Sequence, residues 1–244
     1  MRLGRVDGRR PHPTVSLSGV KVSNEVRRSL NHWEGKEWDA SILHACNAVD
    51  AIANARYPRL AVATQYKRTV RDSLDIFAAM TAQGIDWDQT RFPVAVQSDL
   101  PDKRPDIADV LYGIHRRGHG HKDELPNGFE LTPPGPRASG VHIWRDGKIE
   151  LPASSVIGIL AVAVFAPESK GEVIPHGYQI SWFQRVFHIS DWWGWQDHFR
   201  EIIKVAQVPK TTLEFGKSWD AWTPLTCRIW PELHDDIAVK QRFW

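Results

Sequence analysis

Residues 153–165 read Ala-Ser-Ser-Val-Ile-Gly-Ile-Leu-Ala-Val-Ala-Val-Phe, a stretch of helical length that is apolar nearly all round. Such a helix has no face for water and must be enclosed by other elements. A bilayer is not the enclosure. The most apolar part, 156–165, is about ten residues long, and a membrane-spanning helix needs roughly 20. The segment therefore predicts the central helix of a folded core. Pro152, just ahead of it, suits a first helical turn.

Its neighbours are predicted from periodicity. Across 36–57, Trp38, Ile42, Ala45, Cys46, Val49, Ile52, Ala53 and Tyr57 recur at three- and four-residue steps on one face. His44, Asn47 and Asn54 fall opposite, Asp50 lies at the boundary, and Pro58 ends the helix. A second helix is expected over 64–82, with Val70, Leu74, Phe77 and Ala78 inward and Gly84 as its stop. A third is expected to start near Asp106, a candidate cap, with Ile107, Val110, Leu111 and Ile114 as its buried stripe. Residues 85–105 hold Pro93, Pro101 and Pro105 and read as loop.

A Pro- and Gly-rich break follows over 132–140, and Asp146-Gly147 between apolar pieces signals a hairpin over 141–151. Near the start, Val15, Leu17, Val20 and Val22 nearly alternate and predict a short strand or hairpin. Asn24 would cap a helix running to Trp33. Residues 191–205 predict a helix capped by Asp191, with Trp192, Trp195, Phe199, Ile202 and Ile203 inward. The expected fold is mainly α, a helical bundle with a small β-hairpin and a Trp-rich C-terminal extension. It divides into a tail with short β and helical pieces (1–35), a helical domain (36–166) and the extension (167–244).

Composition removes several function classes. With 31 basic and 29 acidic residues the net charge is +2, so any nucleic-acid surface must come from a local patch. The cysteines, Cys46 and Cys227, form no CxxC, which argues against a disulfide framework or a cysteine-rich zinc site. The basic N-terminus lacks an apolar stretch behind it, so a secretory signal is not expected. P-loop, GxGxxG and GxSxG motifs are absent from the sequence. Nine of the 12 tryptophans lie from Trp144 onward. They read as core and surface aromatics, or as a platform for stacking bases.

The chemistry concentrates at the end of the third helix, in Arg116-Arg117-Gly118-His119-Gly120-His121. Arginine brings a permanent charge and a planar donor fork that matches phosphate. Histidine exchanges a proton near neutral pH. Together they can cleave RNA without a metal, because the ribose 2′-OH is the nucleophile. In that reading His121 is the general acid–base group, and Arg116 stabilises charge growing on the phosphoryl oxygens. Asp50 or His44, on the early helix, could hydrogen-bond Arg116 or His121 and hold it in place.

Residues 107–125 resemble the signature of the HEPN superfamily, whose helical domains carry Arg, four to six residues, then His at the end of a long helix. Tyr112, Arg116, Gly118, His121 and Glu124 match its common local form in order. The likeness covers about residues 36–166. It implies a helical bundle that pairs as a homodimer, with two motifs facing each other. It also implies a metal-independent endoribonuclease, of a kind found in bacterial defence and toxin–antitoxin systems, or a relative that has lost activity and only binds RNA or protein. A second arginine at Arg117 departs from the commonest form.

The expected catalytic residues are Arg116 and His121, supported by Arg117, His119, Tyr112, Glu124 and Asp50. Neither a metal nor a cofactor is expected. The expected partners are RNA, a second copy of the chain, and an antitoxin or another protein; the expected setting is the cytoplasm, away from membrane. Two rival readings remain. One is a non-catalytic RNA- or protein-binding module on the same scaffold. The other is a metal-dependent hydrolase, since His119-Gly-His121-Lys-Asp123 is similar to the HxHxDH run of metallo-β-lactamase-like enzymes, and His115 and His119 could share a metal on a helix. Against it, Glu124 stands where that run has its last histidine, and a helix rather than a strand precedes it.

Overall fold

The computed structural model describes residues 21–118, 128–135, 140–144, 147–175, 177–182, 185–206 and 208–224. Among them are seven α-helices and two small sheets, a mainly α fold. The helices are α1 Val22–Glu34, α2 Trp38–Arg56, α3 Val62–Arg71, α4 Leu74–Thr81, α5 Ile107–Gly118, α6 Ser154–Phe165 and α7 Gln196–Val205. Strands β1 Phe129–Thr132, β2 His142–Ile143 and β3 Ile149–Pro152 form one sheet, and β4 Gln179–Trp182 pairs with β5 Arg185–His188 in the other.

The apolar run takes the enclosed place predicted for it. In α6 every residue from Ser155 to Phe165 is buried except Ile157. The helix packs against α4 and α2, with α1 beyond. Gly158 makes the α4 contact possible: a Cβ there would meet the Phe77 carbonyl oxygen at 3.0 Å and collide with the Thr81 hydroxyl. Pro152, expected in the first turn of α6, instead ends β3 opposite Thr132, and the helix starts two residues later. The hairpin appears as antiparallel β2–β3, and β1 adds to the other edge of β3 in parallel.

The first helix starts earlier than expected. Val22 opens α1, so it is not a strand residue, and Asn24 is not the cap. The cap comes from far along the chain: Ser23 N donates to Glu172 Oε2 at 3.2 Å. The rest of the expected strand, up to residue 20, lies outside the described residues. On α2 the predicted apolar face is buried, with Ile42, Ala45, Cys46, Val49, Ile52 and Ala53 at 1% exposure or less. Ser29 and Ser41 lock α1 to α2, each hydroxyl donating to the other's carbonyl oxygen at 2.7 and 2.8 Å.

The helix expected over 64–82 is two helices. The chain breaks at Asp72-Ser73, where the Ser73 carbonyl restarts the ladder by accepting from Phe77 N at 3.0 Å. The buried Ser73 hydroxyl takes a hydrogen bond from Gln196 Nε2 at 3.1 Å. This break lets α3 pack on α2 and α5 while α4 packs on α6. The 191–205 helix is also shortened. Gly194 at φ 80, whose N–H donates to the Val164 carbonyl at 3.0 Å, separates a 3₁₀ turn Ile189–Asp191 from α7. Asp191 therefore does not cap α7, and Trp195, expected inward, is 56% exposed.

Several of the tryptophans serve packing. Trp193 is buried, and Trp192 sits edge-on to Phe165 and Phe187 at 5.5 and 4.8 Å. Phe199 of α7 stacks on Phe165 at 4.2 Å. One buried cluster runs from Val22 to Phe199 and takes in Ile174, Ile180, Phe187 and Ile189 beside the helices. No helix among the described residues is long and apolar enough to cross a membrane.

Candidate functional site

Helix α5 carries the candidate motif and is anchored at its start. Asp109 N donates to Asp106 Oδ1 at 2.9 Å, and Asp106 N to Asp109 Oδ2 at 3.2 Å. This reciprocal box is the cap predicted for Asp106. Lys67 Nζ reaches Asp109 Oδ1 at 2.7 Å and donates to the Gln97 carbonyl at 2.7 Å. Arg71 contacts Asp106 at 2.7 Å, Asp99 at 2.8 Å and Asp109 at 3.2 Å. Burial and the neighbouring Asp106 charge push the Asp109 carboxyl up, against the pull of Lys67. This ion network ties α3, the 97–106 loop and the first turn of α5 together.

Midway along α5, Gly113 lets the helix lie close to its neighbours, because a Cβ would meet Val96 Cγ1 at 2.7 Å and Phe129 Cζ at 3.2 Å. Ile107, Val110, Leu111 and Ile114 are buried as predicted. The half-buried Tyr112 ring lies 5.6 Å from that of Tyr66, with Lys67 Nζ 5.6 Å from its centroid. His115 is buried and stacks on Tyr66, with centroids 5.0 Å apart and planes 8° apart. Its Nε2 lies 3.6 Å from Asp50 Oδ1 on α2. Asp50 Oδ2 accepts from Asn54 Nδ2 at 3.2 Å. Cys46, one turn before Asp50, is buried, and burial pushes its thiol up to about 12, with the Asp50 charge adding to the effect.

Arg116, Arg117 and Gly118 form the last turn of α5. The expected residues His119, His121 and Glu124 lie outside the described residues. Of the supporting set, Tyr112 and Asp50 come to the same region, between α2, α3 and α5. The sequence pairs Asp50 with Arg116 or His121 and reads His115 only as a metal ligand; the structure sets Asp50 beside His115. The sequence marks each residue's place on its own helix, Asp50 at the edge of the apolar face of α2 and His115 after the buried Ile114, but not their pairing. His44, the other candidate on α2, turns toward α1 instead.

That second polar cluster joins α1 to α2. Glu25 is buried and accepts from Asn47 Nδ2 at 3.3 Å and Arg28 Nη1 at 2.9 Å, with His44 Nδ1 at 2.7 Å. Burial works to raise the Glu25 carboxyl, but the His44 and Asn47 hydrogen bonds and the His44 and Arg28 charges outweigh it and hold it below its ordinary value. His44 stacks on His32 at 5.2 Å, and His32 pairs with Glu37. Among the described residues no group of three or more His, Cys, Asp or Glu side chains could hold a metal ion. A cavity of about 430 Å³ lies between α4 and α7, lined by Asp75, Gln83, Arg200, Ile203, Lys204 and Lys210 among others.

The Rv1289 family matches residues 21–219 of the chain. Uncharacterized protein Rv1289 of Mycobacterium tuberculosis (strain ATCC 25618 / H37Rv) is 56% identical over 207 residues, covering 84% of this chain and 99% of that protein. Uncharacterized protein Mb1320 of Mycobacterium bovis matches with the same identity and coverage. No solved structure matches the chain. The family match spans α1 through α7 and takes in α5 with its arginine turn, so the chain belongs to the Rv1289 family.

Proposed function

We propose that the protein is a metal-independent endoribonuclease of HEPN type, working as a homodimer. The observation that carries this reading is the place of Arg116 on the final turn of α5, a helix fixed in a bundle with α2 and α3. In this reading Arg116 meets an RNA phosphate and stabilises the charge that develops on the phosphoryl oxygens during attack by the 2′-OH. His121, five residues on, takes the proton from the 2′-OH or delivers one to the leaving oxygen. The chemistry needs no metal or organic cofactor, because the substrate supplies its own nucleophile.

The test is a pair of oligonucleotides of one sequence, one all-ribose and one with 2′-deoxyribose at the scissile position. Cleavage of the first and survival of the second is the expected result. Cleavage of both overturns a 2′-OH mechanism.

A further inference from the structure

We propose that Asp50 and His115 are positioning residues that aim Arg116, an inference that rests on the ribonuclease reading above. His115 directly precedes Arg116 on α5 and is 6% exposed. Its imidazole is held on two sides. Tyr66 of α3 covers one face at 5.0 Å, nearly parallel. Asp50 of α2 faces Nε2 at 3.6 Å, beyond the reach of a direct hydrogen bond. Asp50 Oδ2 is held in turn by Asn54.

The placement is costly in isolation. Asp50 lies one turn from Cys46 and directly after Val49, both buried, at the edge of the apolar face of α2. Its Oδ1 is buried and takes no hydrogen bond among the described residues, so it has lost hydration without direct replacement. The His115 ring edge faces this oxygen at 3.6 Å. The pair thereby links α2 to the last full turn of α5, as the Lys67 and Arg71 network links α3 to its first. Both ends of the helix then carry a side-chain contact to a neighbouring helix, and in this proposal those contacts set the backbone that carries Arg116. Positioning of this kind matters most in the transition state, where a displacement of about 1 Å can cost on the order of 100-fold in rate. Asp50 and His115 touch no reacting atom; they act through Arg116.

The experiment measures kcat and KM on a fluorogenic RNA for the wild type, Asp50→Asn, Asp50→Glu, His115→Phe and Arg116→Ala, with thermal unfolding of each. His115→Phe keeps a ring on Tyr66 and removes the nitrogen that faces Asp50. The expected result is a fall in kcat of about tenfold or more in Asp50→Asn and His115→Phe, with KM within about twofold and both proteins folded, and substantial recovery in Asp50→Glu. Wild-type kcat in both variants, with Arg116→Ala inactive, overturns the positioning role and leaves the ribonuclease reading standing. A loss that follows only the unfolded fraction overturns it equally. No cleavage by the wild type overturns both.

Discussion

Lys67 Nζ and Asp109 Oδ1 meet at 2.7 Å with their side chains 4% and 0% exposed, so the start of α5 is held by an ion pair taken almost wholly out of water. Removing one member of such a pair leaves an uncompensated charge, which typically costs about 3–5 kcal/mol. Arg71 also contacts Asp109 at 3.2 Å and retains part of the compensation. Lys67→Met is therefore expected to destabilise by about 3 kcal/mol in urea unfolding. The double variant Lys67→Met/Asp109→Leu is expected to recover part of that loss. A cost within about 0.5 kcal/mol, the range of ordinary surface substitutions, would contradict the account.

Gly158 tests the α4–α6 contact. Replacing a helical glycine by alanine normally gains about 1 kcal/mol in propensity. Here the added methyl would lie 3.0 Å from the Phe77 carbonyl oxygen, backbone that cannot swing away. Overpacking costs about 1–3 kcal/mol, so Gly158→Ala is expected to lower stability despite the propensity gain. Gly84, where a Cβ meets nothing within 4 Å, is the control, and Gly84→Ala is expected to be neutral or slightly stabilising. A stabilised Gly158→Ala would show that the helices do not approach this closely.

Acid is expected to unfold the protein through Glu25, Asp99 and Glu168. Burial acts to raise each carboxyl, but hydrogen bonds and neighbouring charge, from Arg56 to Glu168, from Arg71 to Asp99 and from His44 to Glu25, hold all three below their ordinary values of 4.5, 3.8 and 4.5 in the order Glu168, Asp99, Glu25. A carboxyl with a lowered folded pKa contributes stability that is present above its unfolded value and is lost as the pH falls through the folded one. Asp109, pushed up, contributes in the opposite sense. The net expectation is a melting temperature that falls below about pH 4.5. Glu168→Gln, which removes the charge and one of the two oxygens that accept 2.7 Å hydrogen bonds from Arg56, is expected to flatten that fall. An unchanged slope in Glu168→Gln would remove this ion pair from the explanation.

The parts of the fold read from sequence are those set by local pattern. The all-round apolar α6, the one-sided α2, the α5 stripe with its Asp106 cap and the β2–β3 hairpin all follow from spacing within a dozen or so residues. The parts missed depend on distant partners. Glu172 caps α1 from 149 residues away, Gln196 reaches Ser73 at the α3–α4 break, and β1 finds the parallel edge of β3 across the Pro- and Gly-rich segment. Helical periodicity carries through the break at 72–73 because both helices bury one face, so the pattern alone could not show it. At the candidate site, the place of Arg116 at the end of α5 was legible from the stripe that precedes it. The Asp50–His115 contact was not, because it joins two helices whose relative rotation only packing decides.

The most direct measurement is cleavage of mixed cellular RNA by the purified protein in EDTA, with Arg116→Ala and His121→Ala beside the wild type. The expected result is cleavage by the wild type despite the chelator and none by either variant, each retaining its helical circular dichroism. Cleavage restored only by added Zn²⁺ or Mn²⁺, or undiminished in both variants, would contradict it.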